Sequence, residues 1–381
     1  MKGTAEWPRH NNQPALGIPQ RCERKCAIVH QTEVTQDGRW AALLSRGCPC
    51  ACVATSEVSL LSMQRLTCVV AFLAVLVLAA KPSTAQTWPQ RTVKFIVTLG
   101  PGSGVDIGTR LIADRLSRRW GQHVVVENRP GGDGLVAISA FVGANDDHVL
   151  LAAPSGSFTA HPFIYKNLPY KAADIVPIAR ISNTIVVMAV PVSLEVKSVA
   201  ELVAMARAQL GALNWAGTTG SNEFLFAAFL KNAGLSMSKV PYRNLVEAAN
   251  DLAIGRIQVN VTAFAIVRPQ LEAGKVKLLA VTNTARAAVV PDVPTVTEAG
   301  YPDLALDGLV GFFGPPTMPE QLRNGIAADV RETIDAVVEE RLNLTGQIPN
   351  FGGPADFDAD IAHQRARIAG AAKYLGIVPT Q

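Results

Sequence analysis

Most of this chain lacks cysteine. All six cysteines lie within the first 68 residues, and none occurs from Gln86 to Gln381. The larger part therefore has neither a disulfide framework nor a thiolate metal cluster. A metal or redox module on Cys22-x3-Cys26 and Cys48-x-Cys50-x-Cys52 is an alternative for the first part, but neither spacing matches a closed zinc set. We expect no metal ion and no cofactor.

Charged and aromatic residues are also few. Charged residues make up 17% of the chain and aromatic ones 6%, whereas 49% is hydrophobic. This composition argues against a coiled coil or a disordered protein and allows a sizeable core. The first 85 residues hold nine Lys and Arg against five Asp and Glu, which leaves 26 of each sign in the rest. Such a balance gives no support for binding nucleic acid or a membrane surface through bulk charge.

The first 85 residues contain the layout of a secretory signal peptide. Met63–Arg65 is a short basic start, Val69–Ala80 is an apolar core, and Ser83–Ala85 supplies small residues before Gln86. A permanent membrane anchor is the alternative, although a spanning helix needs about 20 apolar residues. We interpret 63–85 as a cleaved secretory signal peptide, and 1–62 as a mis-called N-terminal extension.

Signatures of catalysis are missing. The chain has no Gly-x-Ser-x-Gly nucleophile elbow, and its four histidines after residue 85 show no spacing typical of catalytic partners. The stretch Gly100–Gly104 lacks the Gly-Lys-Ser/Thr of a P-loop and does not complete the dinucleotide fingerprint. We therefore expect that the protein is not an enzyme. An exported α/β hydrolase or other enzyme remains the alternative function.

From Gln86 onward, apolar runs alternate with helical periodicity, which is typical of α/β layers. Strands are predicted at Val93–Thr98, His123–Glu127, Val149–Ala153, Val176–Ile181, Ile185–Val190, Asn214–Ala216, Lys239–Pro241, Ile257–Val261 and Val276–Thr282. Helices are predicted at Ile107–Trp120, Leu135–Val142, Val199–Gln209, Glu223–Ala233, Val246–Ile254, Ile266–Ala273, Glu320–Glu339 and Phe357–Leu375. Met188–Ser193 is predicted to cross between two lobes.

Three loops rich in Gly, Ser and Thr follow strands, at 98–106, 154–158 and 217–222. In open α/β sheets, ligands bind at the carboxyl ends of strands. These loops offer backbone N–H and hydroxyl donors without bulk, which suits a small carboxylate held by the main chain. The predicted ligand-binding residues are Leu99, Gly102, Ser103, Gly104, Asp106, Ser155, Gly156, Ser157, Thr218, Thr219, Ser221 and Asn222, with Tyr242 and Thr262 as weaker candidates.

Two of the charged residues have alternative roles. Asp106 either caps the helix that follows the first loop or accepts a hydrogen bond from a ligand hydroxyl or amine. Arg286 either pairs with a ligand carboxylate or ties the segment Pro291–Thr295 in place, and we favour the second role.

The segments Leu278–Thr282, Val290–Thr295 and Glu298–Tyr301, with Arg286 between the first two, form the most specific pattern in the chain. Together with supporting matches from Thr87 to Ile377, this pattern resembles the Bug-type periplasmic solute-binding receptors of tripartite tricarboxylate transporters. The supporting matches are Gly121–Gln122, Val125–Gly131, Leu168–Tyr170, Val240–Tyr242, Ala273–Lys275 and Pro315–Pro319.

The resemblance implies an α/β fold with two Rossmann-like lobes around a central ligand cleft, the type II periplasmic-binding-protein or flytrap architecture. Lobe 1 would comprise 86–187 and 307–381, and lobe 2 would comprise 188–306. The implied function is a receptor that captures a small organic carboxylate and delivers it to a membrane permease, as a monomer and without nucleic acid. The effector domain of a transcription regulator is a further alternative, but 1–62 shows no DNA-binding helix pair.

The chain departs from the usual pattern of this family in its cleft loops. Thr98 and Leu99 replace a proline–aromatic pair, and Ser103 replaces the second of two adjacent glycines. Phe224 stands where a histidine is common. Further departures are Asp146–His148, Asn244 and Gln258. We expect ligand specificity to differ at these loops.

Overall fold

The computed structural model describes residues 88–217, 220–242 and 244–378. The predicted signal peptide and the two site candidates Thr218 and Thr219 lie outside the described residues. The strands are β1 (Val93–Val97), β2 (Val124–Asn128), β3 (Val149–Pro154), β4 (Val176–Thr184), β5 (Val186–Pro191), β6 (Leu213–Gly217), β7 (Met237–Lys239), β8 (Val259–Ala263), β9 (Val276–Val281), β10 (Gly308–Gly314) and β11 (Gln347–Gly352). The helices are α1 (Gly104–Trp120), α2 (Leu135–Ala144), α3 (Ser155–Ile164), α4 (Val199–Ala208), α5 (Ser221–Asn232), α6 (Leu245–Ala253), α7 (Phe264–Glu272), α8 (Glu320–Glu332), α9 (Ala336–Leu344) and α10 (Pro354–Leu375).

Two separate sheets organise these elements into two lobes. The first sheet has the order β11-β4-β10-β3-β1-β2, and the second has the order β7-β6-β8-β5-β9. Strand β1 is parallel to β2 and β3, whereas β10 runs antiparallel to β3 and β4. In the second sheet, β6 is parallel to β7 and β8, and β5 is antiparallel to β8 and β9. The predicted two-lobed α/β fold is confirmed.

The chain passes from the first sheet to the second at Ile185, between β4 and β5. The predicted crossover at Met188–Ser193 is therefore wrong in position. Most of that segment belongs to β5, which pairs with β8 on one side and with β9 on the other. Pro191 ends β5 opposite Val276, and a strand end tolerates the missing N–H of proline. The return crossover connects β9 to β10.

Apolar side chains cover both faces of each sheet. Phe95 and Phe312 lie on one face of the first sheet, and Leu151 and Phe313 lie on the other. A further cluster joins the lobes, because Phe224 and Leu225 of α5 pack with Ala160 of α3 and with Ile368 and Ala371 of α10. The long helix α10 therefore contacts both the first sheet and a helix of the second lobe.

The predicted helix Glu320–Glu339 is two helices, α8 and α9. The break occurs because the Asp335 side chain accepts the backbone N–H of Val338 at 3.0 Å and caps α9. Strand β11 was not predicted, since Pro349, Asn350 and Gly352 have low strand propensity. This segment is a strand because it pairs with β4, although its local sequence does not favour a strand.

Two of the predicted ligand loops are helix starts. Ser155–Ser157 forms the first turn of α3, and Ser221–Asn222 forms the first turn of α5. Small polar residues are common in turns and also at the first positions of helices, so composition does not separate the two cases. The remaining predicted elements occur with boundaries within three residues of the observed ones.

Gly311 in β10 tests the packing of the first sheet. A Cβ at this position would lie 2.3 Å from the Ala179 carbonyl oxygen and 2.4 Å from Cε1 of Phe357. We expect Gly311→Ala to lower the free energy of unfolding, measured by urea denaturation, by about 2–4 kcal/mol.

The control is Gly325→Ala in α8, where an added Cβ meets nothing within 4 Å. This change should raise the free energy of unfolding by about 0.5–1 kcal/mol, because alanine favours a helix interior over glycine. Equal effects of the two substitutions would contradict the packing described for β10.

Candidate functional site

The N-termini of α3 and α5, one from each lobe, are in direct contact. The Ser221 hydroxyl donates a hydrogen bond to the Gly156 carbonyl oxygen at 3.0 Å. A Cβ at Gly220 would lie 3.1 Å from that same oxygen, and Gly220 has a φ of +95°. Both the close approach and the positive φ therefore require glycine at this position.

Neither of these two helices has a side-chain cap. The N-cap residues are Pro154 for α3 and Gly220 for α5, and neither offers a side-chain acceptor. The first N–H groups of a helix have no acceptor within the helix, and the dipole makes this end partially positive. Two helix ends without side-chain caps among the described residues thus meet between the lobes, and backbone donors of this kind are suited to an anion.

The serine hydroxyls of α3 already have partners within the protein. Ser155 is fully buried, and its hydroxyl donates to Oε1 of Gln364 at 2.7 Å. Ser157 donates to Oδ1 of Asp133 at 3.5 Å. What α3 offers to a ligand is consequently its backbone N–H groups, with Gly156 keeping the turn free of a side chain.

The glycine-rich loop before α1 is held by Asp106. This side chain is 3% exposed, and Oδ2 accepts the N–H of Gly102 at 2.9 Å. Oδ1 accepts from Nε of Arg110 at 2.9 Å and from Nδ2 of Asn128 at 2.8 Å. The cap of α1 is Ser103, whose hydroxyl accepts the N–H of Asp106 at 3.2 Å. The cap role considered for Asp106 is therefore wrong, and its contact with a ligand stays a prediction.

The other candidates of this loop differ in exposure. Leu99 is 37% exposed, and its carbonyl oxygen accepts from Asn128 at 2.9 Å. Gly102 adopts a φ of +83°. Gly104 packs against the turn before β11, and a Cβ at this position would lie 2.8 Å from the Thr345 carbonyl oxygen. Thr98 is buried, and its Oγ1 has no hydrogen-bond partner among the residues that the structure describes.

A turn at Gly132–Gly134 links this loop to α3. A Cβ at Gly134 would lie 3.5 Å from Cβ of Thr98, and Asp133 contacts Ser157 as described above. His161 directs Nε2 to the Asp133 carbonyl oxygen at 3.2 Å and Nδ1 to the Tyr170 hydroxyl at 2.6 Å. Burial, with the Asp133 carboxylate adding to it, raises the pKa of Tyr170. Sequence reasoning missed the group formed by Asp133, His161 and Tyr170. The signal for it in the sequence was the glycine-rich turn.

The second lobe uses its candidate side chains internally. The Tyr242 hydroxyl donates to Oδ2 of Asp251 on α6 at 2.8 Å. Burial and this hydrogen bond raise the pKa of Tyr242 to about 12. Thr262 is fully buried in β8, opposite Val187 of β5. Asn222 occupies the second position of α5, beside the contact with Gly156.

Arg286 has the structural role that the sequence favours. Its Nε donates to both carboxylate oxygens of Glu298, at 3.0 and 2.9 Å. Its Nη1 donates to the Pro291 carbonyl oxygen at 2.9 Å. The guanidinium therefore ties together two segments of the return crossover.

Asp146, Asp147 and His148 bring three potential metal-ligating groups within 4.8 Å of one another. Nε2 of His148 accepts the N–H of Gln90 at 3.2 Å, and Nδ1 lies 2.6 Å from Asp147. Arg91 pairs with Asp146, so its guanidinium lowers the pKa of that carboxyl group. Because both ring nitrogens are engaged, hydrogen bonds and ion pairs account for the cluster.

A cavity of about 300 Å³ lies between α5 and α10. Its walls include Leu225 and Phe229 of α5 and Arg367 and Tyr374 of α10. None of the predicted site residues that the structure describes lines it. Among the described residues, no helix has the length and apolarity that crossing a bilayer requires.

The three contacts of Asp106 predict a stability effect that does not depend on any ligand. We expect Asp106→Asn to lower the free energy of unfolding by about 1.5–3 kcal/mol, because hydrogen bonds to a charged acceptor are lost. Urea denaturation without ligand measures this. Asp114→Asn is the control on the same helix, since Asp114 is 66% exposed in its pair with Arg118 and should change stability by less than about 0.5 kcal/mol. An unchanged stability for Asp106→Asn would contradict the role described here.

The sequence profile described as "Tripartite tricarboxylate transporter family receptor" matches residues 109–349. A UPF0065 protein of Bordetella bronchiseptica is 29% identical over 307 residues, which cover 80% of this chain and 91% of that protein. Protein BugT of Bordetella pertussis is 26% identical over 322 residues, which cover 83% of this chain and 99% of that protein.

Solved structures agree with the fold. The structure "R. palustris Rpa4515 with adipate" superposes with a TM-score of 0.68 and 28% identity, covering 77% of this chain and all of that one. The predicted resemblance is thus confirmed, and the alternatives of a hydrolase and a transcription regulator find no support. This chain belongs to the receptor family of the tripartite tricarboxylate transporters, whose members bind solutes and are not enzymes.

Proposed function

We propose that this receptor captures a small dicarboxylate between its lobes and delivers it to a membrane permease. The observation that carries the proposal is the meeting of two uncapped helix N-termini, those of α3 and α5. Rpa4515, which is 28% identical, was solved with adipate, a dicarboxylate. A ligand of this class presents a carboxylate to backbone donors and needs no cation from a side chain.

The energetics favour a carboxylate at this contact. Each hydrogen bond from a neutral donor to a charged group is worth about 1.5–3 kcal/mol, and a helix N-terminus adds about 0.3–1 kcal/mol. Three such bonds are of the order that a micromolar dissociation constant requires, about 8 kcal/mol. When the lobes close, water is excluded from the site. The charge-assisted hydrogen bonds from the backbone donors to the carboxylate then face less competition from water.

The proposed binding residues are the backbones of Gly156, Ser157, Ser221 and Asn222. The loop from Leu99 to Ser103 forms the proposed side of the cleft on the first lobe. The charge of Asp106 is compatible with an anionic ligand, because Arg110 pairs with it at 2.9 Å. Thr218 and Thr219, just before α5 in sequence, complete the proposed set.

We further propose that the protein works in the periplasm as a monomer, after removal of residues 63–85 as a signal peptide. Hinge motion about the crossovers at Ile185 and between β9 and β10 would close the cleft. The closed shape is then what the permease recognises. We place the lobe boundaries at these crossovers, near 185 and 307, within two residues of the boundaries that the sequence predicts.

Gly156 offers a test of the anion site. The wild-type protein should bind adipate with a micromolar dissociation constant in isothermal titration calorimetry. We expect Gly156→Asp to weaken binding by about 30-fold or more, since a carboxylate at the α3 N-terminus competes for its donors and repels the ligand.

Gly156→Asn is the matched control, because it adds nearly the same volume at a position where a Cβ lies 3.1 Å from the Ser221 hydroxyl. Its affinity should exceed that of Gly156→Asp by about tenfold or more. Equal affinities for the two variants would argue against an anion at this helix end. Absence of binding to adipate, malate, citrate, benzoate and glutamate would overturn the proposed ligand class.

Export has a separate test. When the chain is expressed from Met63 in a Gram-negative host, we expect a periplasmic product whose N-terminal sequence begins at Gln86. Ala85→Trp should block processing and leave a product longer by the signal peptide, since the residue before a cleavage site must be small. A product that stays in the cytoplasm, or that keeps its leader in both forms, would refute the proposed export.

A further inference from the structure

A line of buried polar side chains runs from the first turn of α3 to the two crossovers. Its centre is Gln364 on α10, which is 2% exposed. Oε1 of Gln364 accepts from the Ser155 hydroxyl at 2.7 Å and lies 3.1 Å from the Thr159 hydroxyl. Its Nε2 donates to the Asp307 carbonyl oxygen at 3.1 Å. One amide thus joins the proposed ligand helix to the end of the return crossover.

The line continues through Asn283, which is fully buried. Its Nδ2 donates to Oδ1 of Asp307 at 3.3 Å and to the Thr184 carbonyl oxygen at 3.0 Å. Its Oδ1 accepts the N–H of Val186 at 3.0 Å. Asn283 lies on the return crossover. It is therefore hydrogen-bonded to the residues just before and just after Ile185, where the outgoing crossover lies.

At its other end, the line reaches the second lobe. The hydroxyls of Thr159 and Ser221 lie 3.4 Å apart, and Ser221 also donates to Gly156. The Ser221 hydroxyl uses its proton on Gly156, and the single proton of the Thr159 hydroxyl cannot go to both Ser221 and Gln364. The line therefore ends at the contact between the lobes, and its hydrogen-bonded members come from α3, α10 and both crossovers, which are far apart in sequence.

Gln364 stands in an apolar stripe of α10. The buried residues of this helix follow helical spacing, with Phe357 and Ile361 before Gln364 and Ile368 after it. A leucine at this position would continue the stripe, and a buried amide costs free energy unless it is fully hydrogen-bonded. Packing alone therefore does not account for glutamine here, whereas a link between α3 and the crossover does.

We propose that Gln364 is a positioning residue that couples the first turn of α3 to the crossovers, with Asn283 as the connection. This inference rests on the proposed function, because the affected site is the proposed anion site at α3. Closure rotates the lobes about the crossovers. Through Gln364 and Asp307, the orientation of the α3 donors follows that rotation, so the donors are correctly placed when the lobes are closed.

The test compares Gln364→Met, which nearly keeps the side-chain volume, with Ile361→Met one turn earlier in the same stripe. Hydrogen exchange without ligand is measured by mass spectrometry on protein purified after expression of the full chain. Gln364→Met should speed exchange both at 155–160 and at 184–187, which includes the Val186 N–H. Ile361→Met should leave 184–187 unchanged, because it removes no hydrogen bond of the line.

Binding of adipate supplies the second readout. Gln364→Met should weaken it by about 3- to 30-fold, the range seen for residues that couple sites, and Ile361→Met should not. Ser155→Ala should have a similar effect, and the double variant should be no weaker than the stronger single variant. Faster exchange confined to 155–160, or equal losses of affinity in both methionine variants, would overturn the inference.

A wild-type protein that binds no carboxylate would refute the proposed function and with it the role of Gln364 in placing ligand donors. The exchange data decide the physical coupling in either case.

Discussion

The contact between the Ser221 hydroxyl and the Gly156 carbonyl oxygen, at 3.0 Å, fixes how the two lobes meet. It requires two backbones to approach closely, and glycine at 156 and 220 leaves room for that approach. Pro154 and Gly220, which precede the two helices at this contact, provide no side-chain caps among the residues that the structure describes. The close approach of the lobes and the uncapped helix ends therefore involve the same few residues.

The sequence predicted the parts of the fold that depend on local pattern. The apolar run at β1, the amphipathic pattern of α1 and the glycine after it, which has a φ of +63°, are all observed. The alternation of strands and helices also predicted an α/β architecture, whereas the two lobes were implied by the resemblance to the receptor family. These features depend on side-chain periodicity and on glycine, and both can be read without any tertiary contact.

Other features could not be predicted because distant residues determine them. Strand β11 exists through its pairing with β4, although Pro349 and Gly352 disfavour a strand. The segment at Ser155 becomes a helix because Phe158 and Ala160 are buried against neighbouring elements. Gln364 occurs in an otherwise amphipathic helix, and its partner Ser155 lies 209 positions away. Sequence reasoning therefore named the candidate loops, but it could not show that the hydroxyls of Ser155 and Ser157 bond to Gln364 and Asp133.

Phe224, which stands where a histidine is common in the family, lies near the contact between α3 and α5. Phe224 lies in the first turns of α5, and its ring centre lies 6.2 Å from that of Phe163 on α3. Burying a side chain of this size contributes about 1.5–3 kcal/mol, more than the 0.5–1.5 kcal/mol of a typical hydrogen bond. Apolar packing thus holds the two helices together, and the bond from Ser221 sets their register. A histidine at position 224 would weaken this packing, because a polar ring would replace an apolar one in the buried cluster.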